Sequence, residues 1–312
     1  MDFFVSVLIF IVILILYIHI MAQYKRSEEL EIYEMDFVKN THLQEVCDIK
    51  QPFLFKYNSV NPEFFEKLND ETIYDLVASQ DVKVKEVGDY WNTPAKQVDS
   101  VIVPLSSFQM LISTDTKSRY FTENNNDLIE DDTKLDRLFR KNDEYLKPML
   151  TMKTKYDIRM GSKGVVTPMR YHTNYRQYIC VNSGKITVKM TPFKSNKYLH
   201  PIKNYETQEF RSPVNIWNPQ ETYMNDVEKM RVVEVNVIAG NILYVPPYWW
   251  YSIKIENTDT LISEFTYISV MNGVANSLDW MRNFIQTSNI EKNISNSIGL
   301  SKTNLVNTNE DE

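Results

Sequence analysis

The sequence predicts a mainly β domain with flanking helices (α+β), carried behind an N-terminal transmembrane helix. Three observations predict this class. The chain opens with a long apolar run, mixed strand and helix patterns follow, and from residue 157 short segments rich in β-branched and aromatic residues alternate with Gly, Pro, Asn and Ser. Closely spaced short strands of this kind are typical of a barrel or a sandwich. With 43% hydrophobic residues among 312, the chain can bury a large core.

The apolar run begins at Phe3 and ends at Ala22, and only Ser6 and His19 interrupt it. About 20 helical residues match a hydrocarbon layer of roughly 30 Å. A cleaved signal peptide would have a positive N-terminal region and a shorter core, whereas here Asp2 precedes the run. We therefore predict an uncleaved single-pass anchor over residues 1–22, through which the protein contacts a membrane.

The charges that flank the anchor predict its orientation. Lys25 and Arg26 follow the run, and positive residues favour the cytosolic side of a membrane. The bulk of the chain is therefore expected in the cytosol. The glycosylation sequon at Asn293 would matter only in the opposite orientation.

The segment between the anchor and residue 157 predicts mixed structure. Residues 23–47 are charged and predict a linker, and the polar stretch 123–132 predicts a surface loop. Strand patterns occur at 51–57, 82–87 and 98–105. Helix patterns occur at 61–68, 106–113 and 135–146.

The second half of the chain predicts the barrel. Its strand candidates are 157–162, 175–181, 184–190, 231–238, 241–245 and 260–270. We place the barrel core at about 157–271 within a domain over 48–284, followed by a disordered polar tail over 285–312. A helical pattern near Asp279 offers a surface for a homodimer.

Composition excludes several function classes. A net charge of -7 gives no basic field for phosphates, so we expect no nucleic-acid partner. Cys47 and Cys180 lie far apart and predict neither a disulfide framework nor a thiolate zinc site. Seven glycines are too few for the glycine-rich loops that cradle phosphate groups.

Four segments together resemble one family. They are "IRMGSKGVVTPMRYH" (158–172), "VNSGKITVKMTPF" (181–193), "SPVNIWNPQETY" (212–223) and "VNVIAGNILYVPPYWWYSI" (235–253). The chain resembles the cupin-like branch of the JmjC oxygenases, the group that contains the asparaginyl hydroxylase acting on hypoxia factors. The resemblance implies a double-stranded β-helix, or jelly-roll, barrel. In active members it also implies Fe(II) and 2-oxoglutarate.

The metal ligands of that family are replaced in this chain. The family uses His-x-Asp on one strand and a histidine after Trp-Trp, where this sequence has Arg170, His172 and Tyr251. An alternative alignment offers Tyr171 and Thr173 for the first two positions. A guanidinium stays charged at physiological pH and would repel Fe(II). We expect no catalytic residues, no metal and no cofactor, with Fe(II) and 2-oxoglutarate bound only if an unorthodox site works.

The candidate pocket contains Thr167, Arg170, His172, Lys185 and Tyr251. Lys185 faces this pocket only if a β-bulge at the preceding glycine shifts the register, because the family's inward lysine aligns with the next residue, an isoleucine. His172 is expected to make a hydrogen bond or to contact a ligand.

Arg170 has two interpretations. A charged residue inside a barrel pairs either with a buried acid such as Glu264 or with a carboxylate or phosphate ligand. Both interpretations remain open at this point.

Three functions are compatible with these patterns. The first is a membrane-anchored, catalytically inactive cupin-like or JmjC-like protein that binds a protein partner or a small anion. The second is an active 2-oxoglutarate-dependent protein hydroxylase with an unorthodox metal site. The third is a structural membrane protein, as in a virus with a large genome. Function has to be decided at the site, because one fold hosts many activities.

Overall fold

A computed structural model describes residues 2–92 and 98–288. The sequon at Asn293 and most of the predicted tail over 285–312 lie outside the described residues. The described part of the chain combines two β-sheets with helices before and after them.

Most helices of the described residues lie in the first half of the chain, and the last two lie in the second half. They are α1 (Asp2–Gln23), α2 (Asn40–Cys47), α3 (Pro62–Lys67), α4 (Thr72–Val77), α5 (Gly88–Asn92), α6 (Leu105–Thr114), α7 (Asn126–Asp131), α8 (Thr133–Lys141), α9 (Asp143–Leu146), α10 (Met224–Val227) and α11 (Val270–Ala275). Residues 277–288 form a further helical stretch, which we name the C-terminal helix.

The strands of the described residues divide between a large and a small sheet. They are β1 (Tyr33–Met35), β2 (Phe53–Lys56), β3 (Asp81–Glu86), β4 (Val101–Pro104), β5 (Tyr120–Thr122), β6 (Thr151–Gly161), β7 (Arg170–Tyr171), β8 (Arg176–Ser183), β9 (Lys185–Thr191), β10 (Ile202–Asn204), β11 (Glu209–Arg211), β12 (Val233–Ile238), β13 (Asn241–Tyr244), β14 (Trp250–Ile255) and β15 (Leu261–Ser269).

The two sheets have the strand order of a double-stranded β-helix. The large sheet runs β1-β2-β13-β8-β15-β6-β5-β3-β4, and the small sheet runs β10-β11-β7-β14-β9-β12. From β6 to β9 and again from β13 to β15, consecutive strands alternate between the two sheets. The predicted fold class is confirmed, and the predicted barrel strands correspond to β6, β8, β9, β12, β13 and β15.

Both faces of the large sheet are buried, which explains its nearly continuous apolar strands. On β8, Ile179 and Val181 face the small sheet, while Tyr178 and Cys180 face the helices. This alternation follows from the two-residue period of a strand. The helices cover the outer face through aromatic contacts, such as Phe64 of α3 against β15.

Two stretches differ from the sequence predictions. The predicted surface loop 123–132 begins with Glu123, which is buried, and it contains α7, whose Leu128 and Ile129 are also buried. The predicted linker 23–47 contributes β1, which pairs with β2, and α2, which buries Leu43 and Cys47. Local polarity misled the prediction in both cases, because the few apolar residues of each stretch form the core contacts.

The N-terminal helix α1 is long and apolar enough to cross a membrane. By length and composition alone it fits either a membrane span or a signal sequence. It packs against α11, and the hydroxyl of Tyr24 donates a hydrogen bond to the carbonyl of Ala275. The end of α1 is therefore attached to the C-terminal part of the domain.

Candidate functional site

The candidate site lies between the two sheets, where the short strand β7 joins β14. Arg170 of β7 is the cross-strand partner of Tyr251 of β14. Their chain neighbours Tyr171 and Trp250 pack together on the opposite face of the small sheet, with ring centroids 4.8 Å apart. Because successive strand residues alternate between faces, Arg170 and Tyr251 point toward the large sheet.

Arg170 forms an ion pair with Glu123. Its Nη1 atom donates to Oε2 of Glu123 at 2.7 Å, and Nζ of Lys85 donates to Oε1 of the same carboxylate at 3.0 Å. Glu123 is only 1% exposed. The suggestion of Glu264 as the acid that pairs with Arg170 was therefore wrong, because Glu123, the residue that follows β5, reaches the guanidinium and bridges two cations.

Glu264 pairs instead with Arg159 of β6. Nη2 of Arg159 lies 2.7 Å from Oε2 of Glu264, and its Nε lies 3.6 Å from Oδ2 of Asp157. The Asp157 carboxylate also accepts the backbone N–H groups of Asn124 and Asn125. The loop that follows Glu123 is thus fixed to the second ion pair.

The ion pairs around Glu123 and the ion pairs around Arg159 form one buried charge cluster. We define it as Lys85, Glu123, Asp157, Arg159, Arg170 and Glu264. Burial alone would raise the pKa of Glu123, but Arg170 and Lys85 lower that pKa overall and keep the carboxylate ionised. Burial raises the pKa values of Asp157 and Glu264 despite the attraction of Arg159. With three cations and three carboxylates, the cluster is formally balanced in charge.

Both guanidinium groups keep unused hydrogen-bond donors. Nε and Nη2 of Arg170, and Nε and Nη1 of Arg159, are buried without a hydrogen-bond partner. Both residues line a cavity of about 210 Å³. Asn124 and Thr207 also line this cavity and are exposed, so they mark its mouth.

His172 and Tyr251 line the same cavity as neutral groups. Nε2 of His172 lies 3.0 Å from the Val245 carbonyl, an acceptor, so Nε2 carries the proton. Burial lowers the pKa of His172 to about 3. The Tyr251 hydroxyl accepts a hydrogen bond from Gln177 at 2.8 Å, and burial raises its pKa.

These residues do not fit a ferrous ion. The facial triad needs two imidazole nitrogens and one carboxylate around open positions. Here Arg170 contributes a fixed positive charge, and the Nε2 atom of His172 already donates to a carbonyl. Among the described residues, no group of three or more His, Cys, Asp or Glu side chains could hold a metal ion.

The structure brings together three of the five predicted pocket residues. Thr167 lies outside the cavity, where its Oγ1 accepts the Ile253 N–H at 2.9 Å. Lys185 begins β9 and does not line the cavity, while Ile186 is fully buried between the sheets. Arg170, His172 and Tyr251 share the cavity wall.

Sequence patterns missed the remaining charged residues of the site. Arg159 interrupts the apolar pattern of β6, and this charge in a buried strand was a usable signal. Lys85 lies in an alternating strand and Glu123 in a polar stretch, and neither carries a local signal. Their partnership depends on contacts between residues 38 and 47 positions apart.

Two facing sheets with this strand alternation define a protein of the double-stranded β-helix class. The family model of the cupin-like domain matches residues 44–272, and the chain belongs to that family. The chain is also similar to JmjC domain-containing protein D of Dictyostelium discoideum, with 30% identity over 95 residues. That match covers 30% of this chain and 21% of the relative's length.

Proposed function

We propose that this protein is a membrane-anchored cupin-like protein that binds a small carboxylate or phosphate anion in the former metal pocket and lacks oxygenase activity. One observation carries the proposal. Two buried guanidinium groups, those of Arg159 and Arg170, line the same cavity and keep four nitrogen donors without a hydrogen-bond partner.

Unpaired buried donors favour a ligand with several acceptor oxygens. A buried polar group without a partner costs about 1–3 kcal/mol, and more when it is charged. A water molecule can accept one or two of the free N–H groups, whereas a single oxyanion can accept several of them at once. A carboxylate or a phosphate supplies both acceptors and charge, and guanidinium binds such groups in a bidentate manner.

Loss of oxygenase activity follows from the residue at the first ligand position. Arg170 cannot deprotonate at physiological pH, and Glu123 holds it in place at 2.7 Å. The Nε2 atom of His172, at the second ligand position, already donates to the Val245 carbonyl. A guanidinium at the first position and an occupied imidazole at the second favour anion binding over metal binding.

The proposal also includes a membrane anchor, the helix α1. The helix α1 has a mean hydropathy of 3.0 over its apolar window, and Lys25 follows it. We propose that α1 remains attached as a single membrane span, with the cupin-like domain on the cytosolic side.

The test is calorimetric titration of the full chain in detergent micelles, without metal. The probes are inorganic phosphate, sulfate, succinate and 2-oxoglutarate. At least one should bind with a one-to-one stoichiometry, and Arg170→Met should weaken that binding about tenfold or more. Arg176→Met is the matched control, because Arg176 is equally buried but does not line the cavity. A folded wild-type chain that binds none of the four anions would refute the proposal.

A further inference from the structure

An apolar stripe runs along the last helices of the described chain. Leu278, Met281 and Ile285 lie at intervals of three and four residues on the C-terminal helix, which places them on one face, and Val274 precedes them on α11. They are between 46% and 62% exposed. Phe284, next to these residues on the C-terminal helix, is 71% exposed. We name these five residues the apolar stripe.

Polar side chains on other faces of the C-terminal helix fix it to the domain. Nδ2 of Asn283 donates to the carbonyls of Tyr205 and Glu206 at 2.7 and 2.8 Å. Arg282 donates to the Tyr205 hydroxyl at 3.2 Å. The apolar stripe therefore points outward from a helix whose rotation is set by these hydrogen bonds.

The stripe lies next to the end of the anchor helix. The Tyr24 hydroxyl binds the Ala275 carbonyl, one residue beyond Val274. Two residues after Tyr24, at the junction between α1 and the domain, the Arg26 guanidinium lies over the rings of Phe193 and Tyr248, at 3.7 and 4.3 Å from their centroids. Two contacts thus hold the chain that leaves α1 against the domain.

A second exposed apolar segment adjoins this region. Met149 and Leu150 are 86% and 74% exposed, and the Leu150 carbonyl accepts the backbone N–H of Val270 at the start of α11. Met152 contacts the same helix at Gly273. The exposed apolar surface around the end of α1 therefore involves two separate parts of the chain.

Basic side chains lie near the same junction. A cavity of about 370 Å³ is lined by Lys194, Lys197, Lys229 and Arg231, with Glu28 at its edge. Glu28 follows the end of α1 by five residues, which is at most about 18 Å of extended chain.

From these contacts we infer that the C-terminal helix lies in the membrane interface, with the apolar stripe inserted at the boundary of headgroups and acyl chains. The inference rests on the proposed anchoring of α1. An amphipathic helix with an exposed apolar face binds a lipid surface in this way. The attachment at Tyr24 favours lipid over a second copy of the chain, because it holds the stripe beside the span itself.

The experiment uses the full chain in vesicles of phosphatidylcholine and phosphatidylglycerol. Met281→Cys and Ile285→Cys each receive a fluorescent maleimide, and lipids with a nitroxide near the headgroup act as quenchers. The native Cys47 and Cys180 are buried and should not react. Met110→Cys is the matched control, since Met110 is an exposed methionine on α6, away from the anchor.

We expect the nitroxide lipids to reduce the fluorescence at positions 281 and 285 about twofold or more and to leave position 110 unchanged. A label at Ile11→Cys reports on the anchor separately, through lipids with a nitroxide deep in the acyl chain. Quenching at 11 without quenching at 281 and 285 would keep the anchor and overturn the interfacial helix. An unquenched label at 11 would overturn the anchor itself, and cross-links between copies at position 281 would assign the stripe to a dimer instead.

Discussion

Two buried arginines six residues apart, Arg170 and Arg176, differ in how fully their donors are used. Arg176 donates through Nε to the Gln44 side chain at 2.9 Å and through Nη2 to Asp48 at 2.5 Å, and its guanidinium stacks on Tyr175. Arg170 donates only through Nη1, to Glu123. Its two other nitrogens are without hydrogen-bond partners in the wall of a cavity.

The comparison separates a structural arginine from a candidate binding arginine. Both side chains are buried and both carry an ion pair, so neither burial nor charge distinguishes them. Unused donor capacity next to an accessible cavity does distinguish them. That criterion is geometric, and it can be tested by changing one arginine at a time.

The largest expected effect comes from removing the carboxylate that holds Arg170. Glu123→Gln should destabilise the fold by about 3–5 kcal/mol, because Lys85 and Arg170 would remain buried without a counter-charge. Urea unfolding measures this loss. Asp127→Asn, which breaks an exposed pair with Lys83, should cost less than about 1 kcal/mol. Equal losses in the two variants would contradict the role given to Glu123.

The second-largest expected effect is a difference in anion affinity between Arg170→Met and Arg176→Met. Arg170→Met should weaken anion binding about 10- to 150-fold, as expected for the loss of a charge-assisted hydrogen bond worth roughly 1.5–3 kcal/mol. Arg176→Met should lower stability and leave anion affinity unchanged, because its donors are already used. Calorimetric titration of both variants measures the difference, and a loss of affinity in Arg176→Met alone would reverse the assignment.

A third effect is a pH dependence of stability that originates at His172. Burial lowers the folded-state pKa of His172 to about 3, and Lys50 and Arg159 act in the same direction. Between that value and an unfolded pKa of about 6.5, only the unfolded chain binds the proton, so stability falls as the pH falls. His172→Gln should therefore remove about 2 kcal/mol of the stability change between pH 6.5 and pH 5.

The control for this pH effect is Tyr251→Phe, which alters the same cavity without removing the histidine. Urea unfolding at both pH values should show the wild-type slope in Tyr251→Phe and a smaller slope in His172→Gln. Identical slopes in wild type and His172→Gln would show that His172 does not titrate as its burial implies.

The smallest expected effect concerns Lys185. Because Lys185 does not line the cavity, Lys185→Met should leave anion affinity within about twofold of wild type. The same titration measures it. A tenfold loss would show that the lysine reaches the cavity in solution, and it would add Lys185 to the cations that hold the anion.

The fold could be predicted because its strands carry strong local patterns. β8, β9 and β15 are either apolar on both faces or show a clear alternation of apolar and polar residues. Glycine and proline occur in the turns between them. The two-residue strand β7 has no detectable period of its own. The predicted helix over 135–146 is divided at Asn142, whose side chain binds the carbonyls of Leu138 and Phe139 and ends α8.

The site was predictable only in part. The positions of Arg170, His172 and Tyr251 followed from the family pattern, and the structure places all three on one cavity wall. The bridging acid did not follow, because Glu123 belongs to a stretch with the composition of a surface loop. A long-range ion pair leaves no periodic signal in a sequence, so the partners of Glu123, Lys85 of β3 and Arg170 of β7, are recognised only in the folded chain.

The most direct test of the central claim is an anaerobic titration of the full chain in detergent micelles with Fe(II), in the presence and absence of 2-oxoglutarate. The claim is that an anion site has replaced the iron site. It predicts no stoichiometric iron binding, together with metal-independent binding of at least one small anion, which Arg170→Met weakens about tenfold or more. One iron per chain, bound more tightly when 2-oxoglutarate is present, would contradict the claim.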